Sequence, residues 1–171
     1  MLLAGPYPGA LNPAEATQKL RGLVGCGIRH VVDLMEEDER NAQGLPFAPY
    51  IEELRAIARE SRTIAKESGE EVGWSRHPIH DLSVPSREEM RAILDEIDAV
   101  VATGRPVYVH CWGGIGRTGT VVGCYLARHG IATGQAALEK ILQLRQRTLP
   151  RRVVPETAEQ HALVRSWQRG E

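Results

Sequence analysis

Long apolar runs and a strong net charge are both absent from this chain of 171 residues. Its formal net charge is −1, so it lacks the global basic field that attracts nucleic acid or an anionic membrane surface. No apolar run approaches the roughly 18 residues that span a membrane, and no charged-then-apolar leader of the secretory type opens the chain. The sequence therefore predicts a soluble protein whose partners are neither nucleic acids nor membranes.

Cysteine is also scarce, with three residues in the chain. An odd number without metal-ligand spacing argues against a disulfide framework and a zinc site. It indicates a reducing compartment, which we take to be the cytoplasm. We expect Cys26 and Cys124, which lie beside or within apolar segments, to be packed residues. The chain length favours a single domain over residues 1–171, which we expect to be a monomer.

Strand-like and helix-like segments alternate along the chain, judged from apolar periodicity and turn residues. The predicted strands lie within residues 1–8, 28–34, 72–79 and 105–109, and the predicted helices cover residues 13–24, 50–66, 87–103, 120–129, 134–147 and a last segment opened by residue 155. Asn12 before Pro13, and Ser86 three residues before Glu89, are N-cap signatures that mark two helix starts. The alternation indicates the α/β fold class.

A glycine-rich segment, His110-Cys-Trp-Gly-Gly-Ile-Gly-Arg-Thr-Gly119, lies between a β-branched strand and an apolar helix. The backbone N–H groups of such a loop, together with the helix N-terminus, form an anion site. Cys111 stands at the mouth of the loop, where these groups and Arg117 favour the nucleophilic thiolate. The guanidinium of Arg117 can hold two oxygens of a tetrahedral anion at once. The segment therefore combines an anion cradle with a nucleophile.

The other positions of this segment are expected to support the anion or the thiolate. The residues expected to surround the anion are Trp112, Gly113, Gly114, Ile115, Gly116 and Arg117. The glycines let the backbone curl around a small anion without Cβ clashes. Thr118 is predicted to donate its hydroxyl to Cys111 and to ease its departure as a leaving group, and His110 to anchor the loop by hydrogen bonds. A redox partnership between Cys124 and Cys111 is the alternative to a packing role for Cys124.

The full string His-Cys-x-x-Gly-x-x-Arg-Thr-Gly, in its strand–loop–helix setting, resembles the signature loop of the cysteine-dependent protein tyrosine and dual-specificity phosphatases. The resemblance is densest between residues 79 and 130 and implies a three-layer domain with a central mixed, mostly parallel sheet flanked by helices. It also implies hydrolysis through a cysteinyl-phosphate. No metal or other cofactor is expected, because Arg117 and the loop amides stabilise the charge. Phosphate, sulfate or vanadate-like anions are expected to bind in the loop.

Asp81 is the candidate general acid that would protonate the departing oxygen. Of the five aspartates in the chain, it alone lies on a proline-bounded loop that leaves a predicted strand. The string Pro78-Ile-His-Asp-Leu-Ser-Val-Pro85 is similar to the mobile acid loop of small dual-specificity phosphatases. In that family the acid precedes the nucleophile by a few tens of residues, and the separation here is 111 − 81 = 30. A structural Asx-turn is the alternative role for this aspartate.

The sequence leaves three further segments with open roles. The acidic residues 36–40 form either a solvated loop or the source of a carboxylate, Glu37 or Glu39, that orients the signature arginine. The arginines at positions 145, 147, 151 and 152 are either solvated or a secondary contact for a phosphorylated or acidic substrate. Glu156 and Gln160 lie where larger tyrosine phosphatases carry a water-positioning glutamine, and neither is assigned a catalytic role.

The sequence predicts the type of reaction more narrowly than it predicts the substrate. The chain looks more like a compact dual-specificity or bacterial-type phosphatase than like the large tyrosine-specific enzymes. Phosphotyrosine in proteins, with or without phosphoserine and phosphothreonine, is the first expectation. The residues between Cys111 and Arg117 are uncharged, which argues against highly anionic substrates. A phosphatase of inositol phosphates, of another small metabolite or of a nucleic-acid 5′ end is the first alternative. A phosphate-binding module without turnover is the second.

Overall fold

The computed structural model describes residues 1–61, 71–145 and 153–171. Its four strands are β1 (Leu2–Gly5), β2 (His30–Asp33), β3 (Gly73–Arg76) and β4 (Val107–His110). The helices in the described ranges are α1 (Pro13–Gly25), α2 (Ile51–Glu60), α3 (Arg87–Ala102), α4 (Gly116–Arg128), α5 (Gly134–Arg145) and α6 (Ala158–Ser166). The last residues of the predicted second helix and the arginines at positions 147, 151 and 152 lie outside the described residues.

The four strands form one sheet with the order β1-β4-β2-β3, and each neighbouring pair is parallel. In this register Val109 of β4 lies between Ala4 of β1 and Val32 of β2. All four residues of β4 are buried, as expected for a central strand that is covered on both faces. The predicted α/β class is confirmed, and the mostly parallel sheet is realised with every pair of described strands parallel.

Helices cover both faces of the sheet, because successive residues of a strand point to opposite sides. Val31 packs with Leu20 of α1 and Leu54 of α2 in the smaller core cluster. Val32, the next residue along β2, packs in the larger cluster on the other face. The helical members of that larger cluster include Ile93 of α3, Val121 of α4, Ile141 of α5 and Val164 of α6. The sheet is therefore the middle of three layers.

Two helices begin at their predicted caps. The side-chain oxygen of Asn12 accepts hydrogen bonds from the N–H groups of Ala14 at 2.9 Å and Glu15 at 3.3 Å. Ser86 and Glu89 form a reciprocal capping box, with the N–H of Glu89 donating to Ser86 Oγ at 3.2 Å and the N–H of Ser86 donating to Glu89 Oε2 at 2.8 Å. The capping box starts α3 directly after the predicted acid loop and so defines where that loop ends.

Helix α4 begins earlier than predicted, at Gly116 rather than at Thr120. The last part of the glycine-rich segment is therefore helical, and the loop itself is reduced to residues 111–115. Gly114 permits this tight connection, because its φ is +65° and a Cβ at that position would lie 2.3 Å from the carbonyl carbon of Gly5. A larger residue at position 114 would force the loop away from β1.

Parallel pairing places the carboxyl ends of all four strands at one edge of the sheet. The glycine-rich loop follows β4, the loop that carries Asp81 follows β3, and the acidic residues 36–40 follow β2. This is the edge at which parallel α/β sheets build their ligand sites. Of the helices that the structure describes, none has the length and apolar composition needed to cross a membrane.

Candidate active site

Cys111 lies between the buried end of β4 and the loop that leads into α4, and it is 3% exposed. The predicted anion-binding residues Trp112, Gly113, Gly114, Ile115 and Gly116 follow it directly. The loop therefore connects a buried strand with a helix N-terminus, whose N–H groups and dipole stabilise a bound anion. The thiol stands at the start of this cradle, as the sequence predicted.

Arg117 is held by three groups that come from two other segments of the chain. Its Nη1 and Nη2 donate to Glu39 Oε2 at 2.6 Å and Glu39 Oε1 at 2.8 Å, which is a bidentate ion pair. Nη1 also donates to the carbonyl oxygen of Ile79 at 3.0 Å, and Nη2 lies 3.0 Å from Asp81 Oδ1. Of the two carboxylates that the sequence left open, Glu39 is the one that orients Arg117.

These contacts leave one edge of the Arg117 guanidinium for an anion. Its Nε is buried and has no hydrogen-bond partner among the described residues. Burial alone would lower the pKa of Arg117, but the hydrogen bond with Glu39 and the charges of Cys111, Glu39 and Asp81 raise it above its usual value. The guanidinium therefore stays charged at neutral pH.

Asp81 contacts the same guanidinium from the loop between β3 and α3. Its side chain is 46% exposed, so the carboxyl remains accessible to a substrate. The loop is tied to the core where the N–H of Ile79 donates to the carbonyl oxygen of Leu34 at 3.1 Å. Leu82 has a φ of +61°, a strained value for a side chain of its kind. The structure thus brings the predicted acid and the predicted anion-binding arginine into direct contact.

Gln160 is a residue near the site whose position the sequence did not explain. It is fully buried, its Nε2 donates to the carbonyl oxygen of Ser83 at 3.0 Å, and its Oε1 accepts from the N–H groups of Glu156 at 2.9 Å and Thr157 at 3.2 Å. A Cβ on Gly116 would lie 2.5 Å from Glu156 Oε2 and 3.1 Å from the Gln160 amide. The start of α6 therefore touches both the acid loop and the anion loop. Its Thr-x-x-Gln capping box was the sequence signal.

His110 is fully buried beneath the loop and is held by Tyr50. Its Nε2 lies 2.5 Å from the Tyr50 hydroxyl, and its Nδ1 lies 3.3 Å from the carbonyl oxygen of Cys111. Burial lowers the pKa of His110, against an opposing effect of the nearby Asp33 carboxylate. The ring is therefore neutral at pH 7. In the consistent tautomer Tyr50 donates to Nε2, and the Nδ1–H donates to the Cys111 carbonyl.

Thr118 does not make the contact that the sequence predicted. Its hydroxyl oxygen is buried and has no hydrogen-bond partner in the part of the chain that the structure describes. The expected hydrogen bond to Cys111 is therefore not formed. Thr118 lies in the first turn of α4, because this helix begins at Gly116.

The two remaining cysteines differ in their surroundings. Cys124 is buried within α4, as predicted, and burial raises the pKa of its thiol. Cys26 is exposed, so the prediction that it packs is wrong. It is the C-cap residue of α1, at the end of the helix. In the described ranges, no group of three or more His, Cys, Asp or Glu side chains is arranged to hold a metal ion.

Aromatic side chains form one rim of the loop. Trp112 is 37% exposed, and its ring centroid lies 5.6 Å from that of Phe47 in an edge-to-face arrangement. Phe47 in turn lies 4.8 Å from the ring of Tyr7. Beside the loop, Arg145 of α5 donates a hydrogen bond to the carbonyl oxygen of Gly114. The loop is thus bordered by aromatic rings and supported by an arginine from α5.

Comparisons with known sequences show that this chain is similar to several phosphatases. A family model described as "polymorphic toxin system, DSP-PTPase phosphatase" matches residues 51–131. The chain is 37% identical over 95 residues to phosphatidylglycerophosphate phosphatase PTPMT2 of Arabidopsis thaliana, covering 48% of this chain and 42% of the relative. It is 36% identical over 77 residues to dual specificity protein phosphatase CDC14B of Mus musculus, covering 44% of this chain and 15% of the relative. The matches span less than half the length of these curated relatives.

Solved structures match over almost the whole chain. The active form of Tk-PTP has a TM-score of 0.61 at 24% identity, covering 98% of this chain and 89% of the other. PTPMT1 in complex with PI(5)P has a TM-score of 0.67 at 20% identity, with the same coverage. At such identities the likeness establishes the fold, and it agrees with the three layers described above.

Proposed function

This chain belongs to the superfamily of cysteine-dependent protein tyrosine and dual-specificity phosphatases, and we propose that it hydrolyses phosphomonoesters through a cysteinyl-phosphate at Cys111. The observation that carries the proposal is the arrangement around Arg117. Glu39 and Asp81 hold one edge of the buried guanidinium, and its Nε is left without a partner among the described residues. A tetrahedral dianion in the loop would supply that partner.

The first step transfers the phosphoryl group to sulfur. The Cys111 thiolate attacks phosphorus in line with the ester bond, so that an S–P bond forms as the P–O bond breaks. The loop N–H groups and Arg117 stabilise the equatorial oxygens as charge develops on them. Asp81, which contacts Arg117 and remains solvent-accessible, donates its proton to the departing oxygen.

The second step reverses these roles. Asp81, now a carboxylate, accepts a proton from a water molecule that attacks phosphorus, and the S–P bond breaks to release inorganic phosphate. The regenerated thiolate is stabilised by the N-terminus of α4 and by Arg117. Gln160 holds Ser83 of the acid loop at 3.0 Å, and we assign it the role of positioning that loop.

The proposed substrate is phosphotyrosine in proteins, including dual-specificity substrates. The aromatic rim supports this choice, because Trp112 and Phe47 offer ring faces and edges beside the loop, where a phenyl ring can pack. The loop side chains between Cys111 and Arg117 carry no charge. A second candidate, a phosphorylated lipid headgroup, is favoured by the similarity to the plant phosphatidylglycerophosphate phosphatase.

A substrate panel separates these candidates. We expect kcat/KM for a phosphotyrosine peptide to exceed that for the same peptide with phosphoserine, and that for phosphatidylglycerophosphate in micelles, by at least about tenfold, equivalent to 1.4 kcal/mol in transition-state stabilisation. Phosphate release is measured for all three substrates with one enzyme preparation. A preference for the lipid would favour the second candidate. Phosphate binding without hydrolysis of any substrate would favour a non-catalytic module.

Glu39→Gln is expected to lower kcat/KM for p-nitrophenyl phosphate by about 10²-fold, the cost of misplacing a positioning group. The neutral amide cannot maintain the bidentate ion pair that holds Nη1 and Nη2 of Arg117 at 2.6 and 2.8 Å. Glu37→Gln is the matched control, because Glu37 belongs to the same acidic segment and makes no such pair with Arg117 in the structure. Equal losses in both variants would argue against the orienting role of Glu39.

A further inference from the structure

Two backbone carbonyl groups of the loop 111–115 are held by donors from other segments of the chain. The carbonyl oxygen of Trp112 accepts a hydrogen bond from the N–H of Tyr7 at 2.9 Å. The carbonyl oxygen of Gly114 accepts one from the guanidinium of Arg145, the last residue of α5. A carbonyl oxygen carries partial negative charge and would repel a phosphate that it faced. Both donors therefore keep the loop in a form that can bind an anion.

The hydrogen bond from Arg145 also fixes the direction of the next N–H group. The peptide between Gly114 and Ile115 is planar and trans, so its C=O and N–H bonds point in opposite directions. Because the carbonyl oxygen points to Arg145, the Ile115 N–H points to the opposite side of the loop. This N–H makes no backbone hydrogen bond within the described part of the chain. Ile115 is the N-cap residue of α4, where N–H groups can converge on an anion.

The glycines of the loop make such a constraint necessary. Glycine adopts positive and negative φ about equally well, and Gly114 has a φ of +65°. Rotation of the peptide that follows Gly114 would turn its carbonyl oxygen towards the bound anion and its N–H away. Arg145 opposes this rotation, because a hydrogen bond from a charged donor is stronger than one between neutral groups.

The guanidinium of Arg145 also acts by its charge. Burial lowers the pKa of Arg145, and the charges of Cys111 and Glu156 oppose that effect. An arginine nevertheless stays protonated at neutral pH. The residue can therefore affect the loop in two ways, by orienting a peptide and by placing a positive charge near the nucleophile, and a test must separate them.

We propose that Arg145 is a positioning residue of the phosphatase reaction, which points the Ile115 N–H at the phosphoryl oxygens by holding the carbonyl group of Gly114. The inference rests on the proposed function, because this N–H would stabilise oxygens that gain charge in the transition state. The sequence left Arg145 as either a solvated residue or a contact for an acidic substrate. Its hydrogen bond to the catalytic loop gives it a third role.

The test measures orthovanadate binding to the full chain by calorimetry. Arg145→Met keeps an apolar stem and removes the donor, so it should weaken vanadate binding at least about tenfold and lower kcat for p-nitrophenyl phosphate by a similar factor, part of the effect of losing one oxyanion donor. Arg145→Lys should stay within about threefold of the parent protein, because a single carbonyl acceptor does not require the planar fork of arginine. Parent-like binding and kcat in Arg145→Met would overturn the proposal.

Arg55→Met is the matched control, because it removes the same charge and the same kind of hydrogen bond far from the loop. Arg55 Nε donates to the carbonyl oxygen of Val72 at 3.0 Å. Val72 directly precedes β3, at the edge of the sheet opposite to the catalytic loop. The control should keep vanadate binding and kcat within about twofold of the parent values, as expected for an independent site. Equal losses in the two methionine variants would refute a specific role for Arg145.

The amide resonance of Ile115 separates orientation from charge. We expect it to move downfield when vanadate saturates the parent protein, and to move at most about half as far in Arg145→Met, because a misaligned hydrogen bond is weaker. A full shift in a variant with weakened binding would mean that Arg145 acts by charge alone and would overturn the proposal. An unmoved Ile115 amide in the parent protein would overturn it without any variant. A parent protein that binds vanadate but hydrolyses no phosphomonoester would instead refute the proposed function.

Discussion

Cys111→Ser is expected to reduce turnover of p-nitrophenyl phosphate by at least about 10⁴-fold, on the scale seen when a catalytic nucleophile is removed. A serine hydroxyl at this position would need a general base to become nucleophilic. The nearest histidine, His110, is unsuited to that task, because its Nε2 is bound to Tyr50 and its Nδ1 faces the carbonyl oxygen of Cys111. In the proposed mechanism the nucleophile is a thiolate, which needs no general base.

The same variant should keep its affinity for phosphate. The loop amides and the Nε of Arg117 are unchanged by the substitution, so a phosphopeptide should bind to Cys111→Ser with a Kd within a few-fold of that for the parent protein. Single-turnover kinetics and calorimetry measure the two properties separately. Loss of binding together with turnover would show that the substitution damages the loop and would leave the covalent role without support.

Cys124→Ser is the matched control, because it makes the same change in the other buried thiol. Burial raises the pKa of Cys124, so its sulfur is neutral at pH 7 and acts as packing. The variant should keep kcat and lose stability, because a hydroxyl is buried where a thiol packed. A loss of turnover comparable to that of Cys111→Ser would indicate that the two sulfurs act together in a redox partnership.

Features set by nearby residues were the ones the sequence predicted well. Asn12 and the Ser86–Glu89 pair each satisfy N–H groups within three residues, so their caps can be inferred from spacing alone. The placement of Cys111 between a strand and a helix is equally local. The start of α4 was misplaced, because glycines are poor helix formers and the close approach of Gly114 to Gly5 that fixes the loop length joins distant parts of the chain.

Contacts between residues far apart in the sequence could not be predicted from the spacing of motifs along the chain. Glu37 and Glu39 are equally acidic and two residues apart, and only the path of the chain after β2 brings Glu39 to Arg117. Gln160 reaches Ser83 across 77 positions of sequence. For Thr118, residue type and proximity in sequence predicted a hydrogen bond to Cys111, but its hydroxyl has no hydrogen-bond partner among the described residues.

Asp81→Asn is expected to lower kcat by about 10²- to 10⁴-fold, the usual contribution of a general acid. The amide is nearly isosteric with the carboxyl, so it occupies the same position beside Nη2 of Arg117 but has no acidic proton to donate. Arg117 remains oriented by Glu39, so substrate binding should be largely retained. The kinetic consequence is a lower kcat at a similar KM.

The dependence on the leaving group distinguishes proton donation from any structural effect of Asp81. p-Nitrophenolate departs readily without a proton, whereas the phenolate of tyrosine and the alkoxide of serine depart far less readily. The loss in Asp81→Asn should therefore grow from p-nitrophenyl phosphate to phosphotyrosine to phosphoserine. His80→Gln, at the adjacent position where the side chain pairs with Glu36 at 2.9 Å and makes no contact with Arg117 in the structure, should leave all three rates nearly unchanged. A uniform loss across the substrates would mean that Asp81 acts by holding Arg117 in place. The proton would then have to come from another source, and the exposed carboxyl beside Arg117 would be a positioning group like Glu39.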